Sequence, residues 1–334
     1  MKISRLICSV FFAGPVLAAI NVPLTIQEAL YSGGTSGVVR TNEPFCMGVP
    51  LADAAGITST SALTLSGASA GQFRVLGSWP DGKYKWVKVC GIVPNVAAGG
   101  SATVTLTDGG SGNFGGSNLA TDNGSTITVS TGSSQFTIKK AKFNVIDAAT
   151  IGTATILSTS SAATRGLVIM GPDPSLPFPG NVTCGTCTTL YSSANDPNST
   201  AVIEENGPVM TVIKATGNHM DASGHPYMQY TARLYFYKGK NTVKVVSSLR
   251  NANYDTSTVP SPDNAGNTFN TAYKGFQSYE LRINPGITGT LTYNIEANGV
   301  QSGTLNQTAG TDWTPLASML YVRVPVMPGL MRNS

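Results

Sequence analysis

From Gln229 to Arg250, apolar and polar residues alternate on both sides of the pair Gly239-Lys240. Suppose these two residues centre a two-residue turn, with Gly first as a type II′ hairpin wants. Phe236 then faces Val243, Leu234 faces Val245, Ala232 faces Ser247 and Tyr230 faces Leu249. That set is one nearly apolar face. The other face pairs Tyr237 with Thr242, Tyr235 with Lys244, Arg233 with Val246, Thr231 with Ser248 and Gln229 with Arg250. A slip of one residue would mix the two sets, so the hydrophobic pattern itself fixes the register. A hairpin with one buried face needs a second layer over it, and the segment therefore predicts a sandwich or a barrel.

Short strand signals fill the rest of the chain: 22–26, 45–49, 62–65, 73–76, 83–89 and 102–106, then 126–129, 135–138 and 143–146. No stretch keeps a helical period for three turns, so the predicted class is all-β. Trp79-Pro80-Asp81-Gly82 supplies a tight turn. After it, Tyr84, Trp86 and Val87, with Lys83 and Lys85 interleaved, read as a half-buried strand. One of Trp79 and Trp86 is expected in a core and the other exposed. Residues 109–116 (Gly-Gly-Ser-Gly-Asn-Phe-Gly-Gly) have the composition of a flexible linker. It divides a small barrel, residues 20–120, from a β-sandwich, residues 121–334. Residues 172–179 read as a Pro-rich surface loop.

Charged residues make up 11% of the chain, less than half the usual ~25%. Gly, Ser, Thr and Asn take their place, as in extracellular β-proteins whose strands are faced with Thr and Ser. The net charge of +4 is spread without a basic stripe, which argues against nucleic acid as a partner. A basic start (Lys2, Arg5) and a short apolar run lead to Val16-Leu17-Ala18, the pattern of a secretory signal over 1–19 cut after Ala18 or Ala19. The run is too short to span a bilayer, which takes ~20 helical residues. No later run is long enough either. The expected mature protein is secreted, extracellular or periplasmic, with no membrane span.

Cys8 leaves with such a signal, and four of the five cysteines remain for an oxidising compartment. Cys46 and Cys90 lie in strands of the first domain, where a bridge would staple it. Cys184-Gly185-Thr186-Cys187 reads first as a local disulfide in a Pro- and Gly-rich loop. Redox motifs of this spacing sit at a helix start, and zinc would need two more ligands. No metal or other cofactor is expected, apart from Ca²⁺ between Asp255 and Asp263 as an alternative to a solvated loop. Asn123, Asn181, Asn198 and Asn306 each open an Asn-x-Ser/Thr glycan acceptor motif.

Two sets of motifs resemble one family. Arg40-Thr41-Asn42-Glu43-Pro44 with Gly48-Val49-Pro50-Leu51, followed by Trp79-Pro80-Asp81-Gly82 and Lys85-Trp86, is similar to the N-terminal RIFT-type β-barrel of the exo-rhamnogalacturonan lyase (YetA-like) family. Glu204-Glu205-Asn206-Gly207-Pro208, the element Gly217-Asn218-His219 and the hairpin Arg233 to Lys240 resemble that family's central β-sandwich. The resemblance implies a protein directed at acidic plant-type polysaccharide, namely rhamnogalacturonan. It also implies a helical (α/α) toroid after the sandwich, whereas the sequence ends at Ser334. A fragment, a truncated product and a stand-alone accessory protein all stay open.

Elimination from such a polymer needs a cation for the uronate carboxylate, a base near the working pH and an acid for the leaving oxygen. His219, His225, Tyr227, Tyr230 and Arg233 are the residues of suitable type in one region, although Tyr230 belongs to the apolar face. A gentler reading is a carbohydrate platform. Tyr235, Tyr237, Tyr227 and Trp79 would stack on sugar rings while Arg233 and Lys244 hold carboxylates. Ordinary cross-strand pairing accounts for the same tyrosines without a ligand. A structural or adhesive extracellular β-protein without enzymatic activity is the alternative function, and it fits the composition equally well.

Overall fold

The computed structural model describes residues 20–28, 37–159, 165–177, 180–181, 184, 187–251, 258–260, 268–270, 274–283, 289–296 and 300–307. The expected signal (1–19), Cys8, Asp255 and Asp263 lie outside them. The described residues are all β, with short 3-10 turns and no α-helix. No helix among them is long and apolar enough to cross a membrane. They form two compact units. One reaches to Asn118 and includes Gly207–Met210; the other takes Leu119–Asn206 and resumes at Thr211.

The first unit has six strands: Asn21–Gln27 (β1), Arg40–Pro50 (β2), Leu63–Ser66 (β3), Ala70–Ser78 (β4), Tyr84–Val96 (β5) and Ser101–Asp108 (β6). They pair as two antiparallel sheets, β1-β6-β3 and β2-β5-β4. Leu24, Leu63, Leu65, Val87, Val89, Val104 and Leu106 from both sheets form one buried core. Cys46 and Cys90 face each other across β2 and β5 with Cα atoms 4.1 Å apart, and they are disulfide-bonded.

Two expectations fail here. Val87 and Val89 are fully buried while Trp86 is 43% exposed, so the buried face of β5 has the opposite parity to the expected one. Neither tryptophan is a core residue: Trp79 is half-buried, with Nε1 donating to the Leu51 carbonyl at 3.3 Å. Residues 109–116 are not a free linker either. Gly110 and Gly112 donate to the carbonyls of Ala62 and Leu63, and Phe114 bridges Gly71 in both directions. The glycines serve close approach, since a Cβ on Gly71 would collide with the Phe114 ring.

The second unit opens with Ala120–Asp122 (β7), Thr126–Ser130 (β8), Ser134–Lys139 (β9), Ala148–Ile151 (β10) and Ala154–Leu157 (β11). These make a five-stranded antiparallel sheet in the order β11-β10-β9-β8-β7. Next come Gly166–Gly171 (β12), Thr189–Ser192 (β13), Thr200–Glu205 (β14), Met210–Met220 (β15), Pro226–Tyr237 (β16) and Val243–Arg250 (β17). Thr258–Pro260 (β18) and Thr268–Asn270 (β19) pair with each other, as do Gly289–Glu296 (β21) and Val300–Gln307 (β22) beyond Ser278–Arg282 (β20). The larger sheet runs β17-β16-β15-β13-β12-β20, with β14 also paired to β15.

Ile127, Val129, Phe136 and Ile138 of the smaller sheet and Ile213, Ala215, Leu234 and Phe236 of the larger one share a core, as a sandwich requires. Phe136 and Phe236 meet with ring centroids 5.1 Å apart. The expected ladder is present from Gln229↔Arg250 to Phe236↔Val243. Ala232, Leu234 and Phe236 are fully buried, whereas Arg233, Tyr235 and Tyr237 are only partly so. The turn differs from the expected one: Lys240 N–H donates to the Tyr237 carbonyl, which puts Lys238 and Gly239 at its centre. Gly239 has φ +76°, the glycine position of a type II turn.

Residues 143–146, expected as a strand, are irregular backbone between β9 and β10. Cys184 and Cys187 are bonded to each other, with Cα atoms 5.1 Å apart.

Candidate functional site

The partly exposed face of the hairpin gathers most of the proposed platform. Arg233, Tyr235 and Tyr237 project from it because residues two apart on a strand share a side. Lys244 stands opposite Tyr235 on β17, and its Nζ lies 5.5 Å from the ring centroid, a cation–π contact. Burial raises the Tyr237 phenol above its ordinary pKa. Arg233 is not a free cation. Its Nε donates to Glu204 Oε2 at 2.6 Å and its Nη2 to Glu204 Oε1 at 2.8 Å. The hydrogen bond to Glu204 holds the guanidinium above its usual pKa. A ligand carboxylate arriving here would meet the Glu204 carboxylate as well, so Lys244 is the better placed charge. No sequence pattern marks Glu204 as the partner, because it lies 29 residues away on β14.

Trp79 belongs to the first unit, apart from these residues in the chain, and Lys85 Nζ covers its ring at 4.5 Å. Trp86 presents the larger exposed indole surface of the two.

The residues proposed for catalysis do not converge. His219 on β15 is fully buried, and its Nδ1–H donates to the Met228 carbonyl at 3.0 Å. Burial pushes its pKa down to about 4. Its ring stands edge-on to Tyr230 and Tyr279. Tyr227 is buried against Tyr191, with ring centroids 4.7 Å apart, and its hydroxyl donates to the Gly275 carbonyl at 2.6 Å. His225 sits in an exposed turn, where its Nδ1 lies 2.8 Å from Asp221 Oδ2. Arg233 is on the outer side of the sheet. The sheet thus divides His219 and Tyr227 from Arg233, whereas a base and a neutralising cation must reach one sugar.

The sequence reading missed a cleft of about 740 Å³ in the second unit, lined by Lys139, Lys142, Asn144, Asn195, Asp221 and Ser223 among others. Its one visible sequence signal is the run Lys139-Lys140-Ala141-Lys142 in a chain poor in charge.

Residues 119–259 match the family model described as the PcRGLX-like protein central beta sandwich domain. The match begins at the second unit's first residue and runs into β18. A search of curated proteins finds no match to the chain.

Proposed function

With residues 119–259 forming a PcRGLX-like central β-sandwich, we propose that the protein is exported and holds acidic polysaccharide of the rhamnogalacturonan type on that sandwich. The observation that carries this reading is the outer face of β16 and β17. Two tyrosines, a lysine over one of them and a fixed Arg233–Glu204 fork stand together on a sheet surface. Tyrosine rings offer apolar faces to sugar rings while their hydroxyls stay wet. Binding is favoured over cleavage because His219 and Tyr227 are sealed on the other side of the sheet.

The purified chain is incubated with rhamnogalacturonan and a panel of other acidic and neutral polysaccharides, and retention and ultraviolet absorbance are followed together. The expected result is retention on uronate polymers with no rise in absorbance from unsaturated uronate. A rise would make the chain itself a lyase. Absence of retention on every polymer would favour the adhesive or structural alternative. Tyr235→Ala should weaken retention about three- to tenfold, the range of one aromatic contact. Lys244→Ala should weaken it chiefly for charged polymers, and that loss should shrink at high salt, where charge pairing is screened.

A further inference from the structure

On the outer side of the larger sheet, charge is distributed strand by strand. Lys244 lies on β17 and Arg233 on β16. Lys214 lies on β15 and faces the same side, because its neighbours Ile213 and Ala215 belong to the sandwich core. The three strands are adjacent in that order. Neither lysine is held by a carboxylate among the described residues. Arg233, between them, is balanced: Glu204 takes its Nε at 2.6 Å and its Nη2 at 2.8 Å. Crossing the strands, the pattern is therefore positive, neutral, positive. With neighbouring strands ~4.8 Å apart, the two lysine-bearing strands are separated by ~10 Å, about the length of two sugar rings in a chain.

The fork is open to a ligand. The side chains of Arg233 and Glu204 keep 37% and 26% of their surface exposed. Carboxylate and guanidinium both have more hydrogen-bonding capacity than the two bonds of the fork use. Such a pair accepts from one sugar hydroxyl and donates to another. Val246, opposite Arg233 on β17, is 42% exposed and adds an apolar surface for the C–H groups of the ring. A uronate placed here gains little by comparison. Its carboxylate meets a guanidinium whose charge is already balanced, together with the like charge of Glu204, and like charges across a contact cost binding.

We infer that the Arg233–Glu204 fork determines specificity on this face, taking an uncharged sugar between uronates held at Lys214 and Lys244. Glu204 is the residue that selects against an unbroken run of uronates. The inference rests on the polysaccharide reading above for the class of ligand and for the face that it uses.

Two probes of equal length test it. One is an oligosaccharide in which galacturonate alternates with a neutral sugar, and the other is an oligogalacturonate. Each is titrated by NMR into the parent, Glu204→Gln, Lys214→Gln and Tyr235→Ala. Glu204→Gln removes the charge and keeps an acceptor for Arg233, and a part-exposed pair contributes too little for its loss to unfold the protein. The parent should bind the alternating probe about fivefold more tightly than the oligogalacturonate. Glu204→Gln should bind the oligogalacturonate about fivefold more tightly than the parent does, a gain that shrinks at high salt and that a merely structural ion pair would not give. Lys214→Gln should bind the alternating probe about threefold more weakly than the parent. Equal affinity of the parent for both probes, an unchanged preference in Glu204→Gln, or parent-like binding by Lys214→Gln would each overturn the inference. If Tyr235→Ala also binds less in that event, the platform stands without its selector. No binding by the parent, or parent-like binding by Tyr235→Ala, would remove the platform and the selector together.

Discussion

Leu234→Ala is expected to remove about 2–5 kcal/mol of stability, as truncation of a fully buried core residue does. Tyr235→Ala, one position along, should cost no more than about 1 kcal/mol. Leu234 is fully buried in the sandwich core, next in its own face to Ala232 and Phe236, and it pairs with Val245 across the hairpin. Little can collapse into the space it would leave, because Phe236 is already set against Phe136. Tyr235 loses only its half-exposed ring and the contact with Lys244. Urea unfolding reads the difference as a shift of midpoint at unchanged slope. If Tyr235→Ala proves the costly substitution, the two faces of β16 must be exchanged and the platform disappears with them.

That hairpin was legible in the sequence for a physical reason. One face is buried and the other wet, so only one register separates Leu234 and Phe236 from Arg233 and Tyr235. The same logic fails on β5. From Val87 to Val93 the strand is apolar at nearly every position, so alternation gives no parity, and bulges opposite it on β4 break the count near Gly77. The size of Trp86 then suggests a core residue where the structure buries Val87 instead.

Residues 143–146 fail for a related reason. An apolar pair around Asn144 looks like strand, but Phe143 and Val145 reach the core from a strained turn held by distant partners, Asp196 and Ser199 among them. Such long-range enforcement leaves no local mark, and local rules are broken most often where a site is built. The candidate site was legible only as far as neighbours on one strand. Arg233, Tyr235 and Tyr237 share a side by period, whereas Glu204 joins them from another strand. The supposed catalytic set grouped residues by position along the chain, without regard to the two sides of the sheet.

Between pH 7 and pH 4 the protein should lose about 3 kcal/mol of stability through His219 alone. Burial depresses its pKa from 6.5 to about 4 in the folded state. Among the described residues, the contact that favours its charge within hydrogen-bond distance is the Met228 carbonyl, which Nδ1–H already holds in the neutral ring. Nε2 has no partner among the described residues, and the rings of Tyr230 and Tyr279 stand against the imidazole. Asp196 is the charged group that acts on it, and it only softens the effect. A depressed histidine works against folding in acid. Above pH 6.5 neither state is protonated there; below it the unfolded chain takes up a proton that the folded one refuses, until both carry it below about pH 4.

The carboxylates held below their ordinary values, Glu28, Asp81, Asp122, Asp173 and Asp221, add their own loss only below about pH 4.5. The window from 6.5 to 4.5 therefore belongs largely to His219. Denaturant midpoints measured across it at constant ionic strength should fall steadily in the parent and much less in His219→Gln, which has no proton to gain. His219→Gln should start from a lower stability at pH 7, so the slope against pH is the quantity to compare. Equal slopes in the two proteins would mean that the ring is reached by water or by an unseen acceptor. The buried aromatic cluster of the larger sheet would then be wetter than its packing implies.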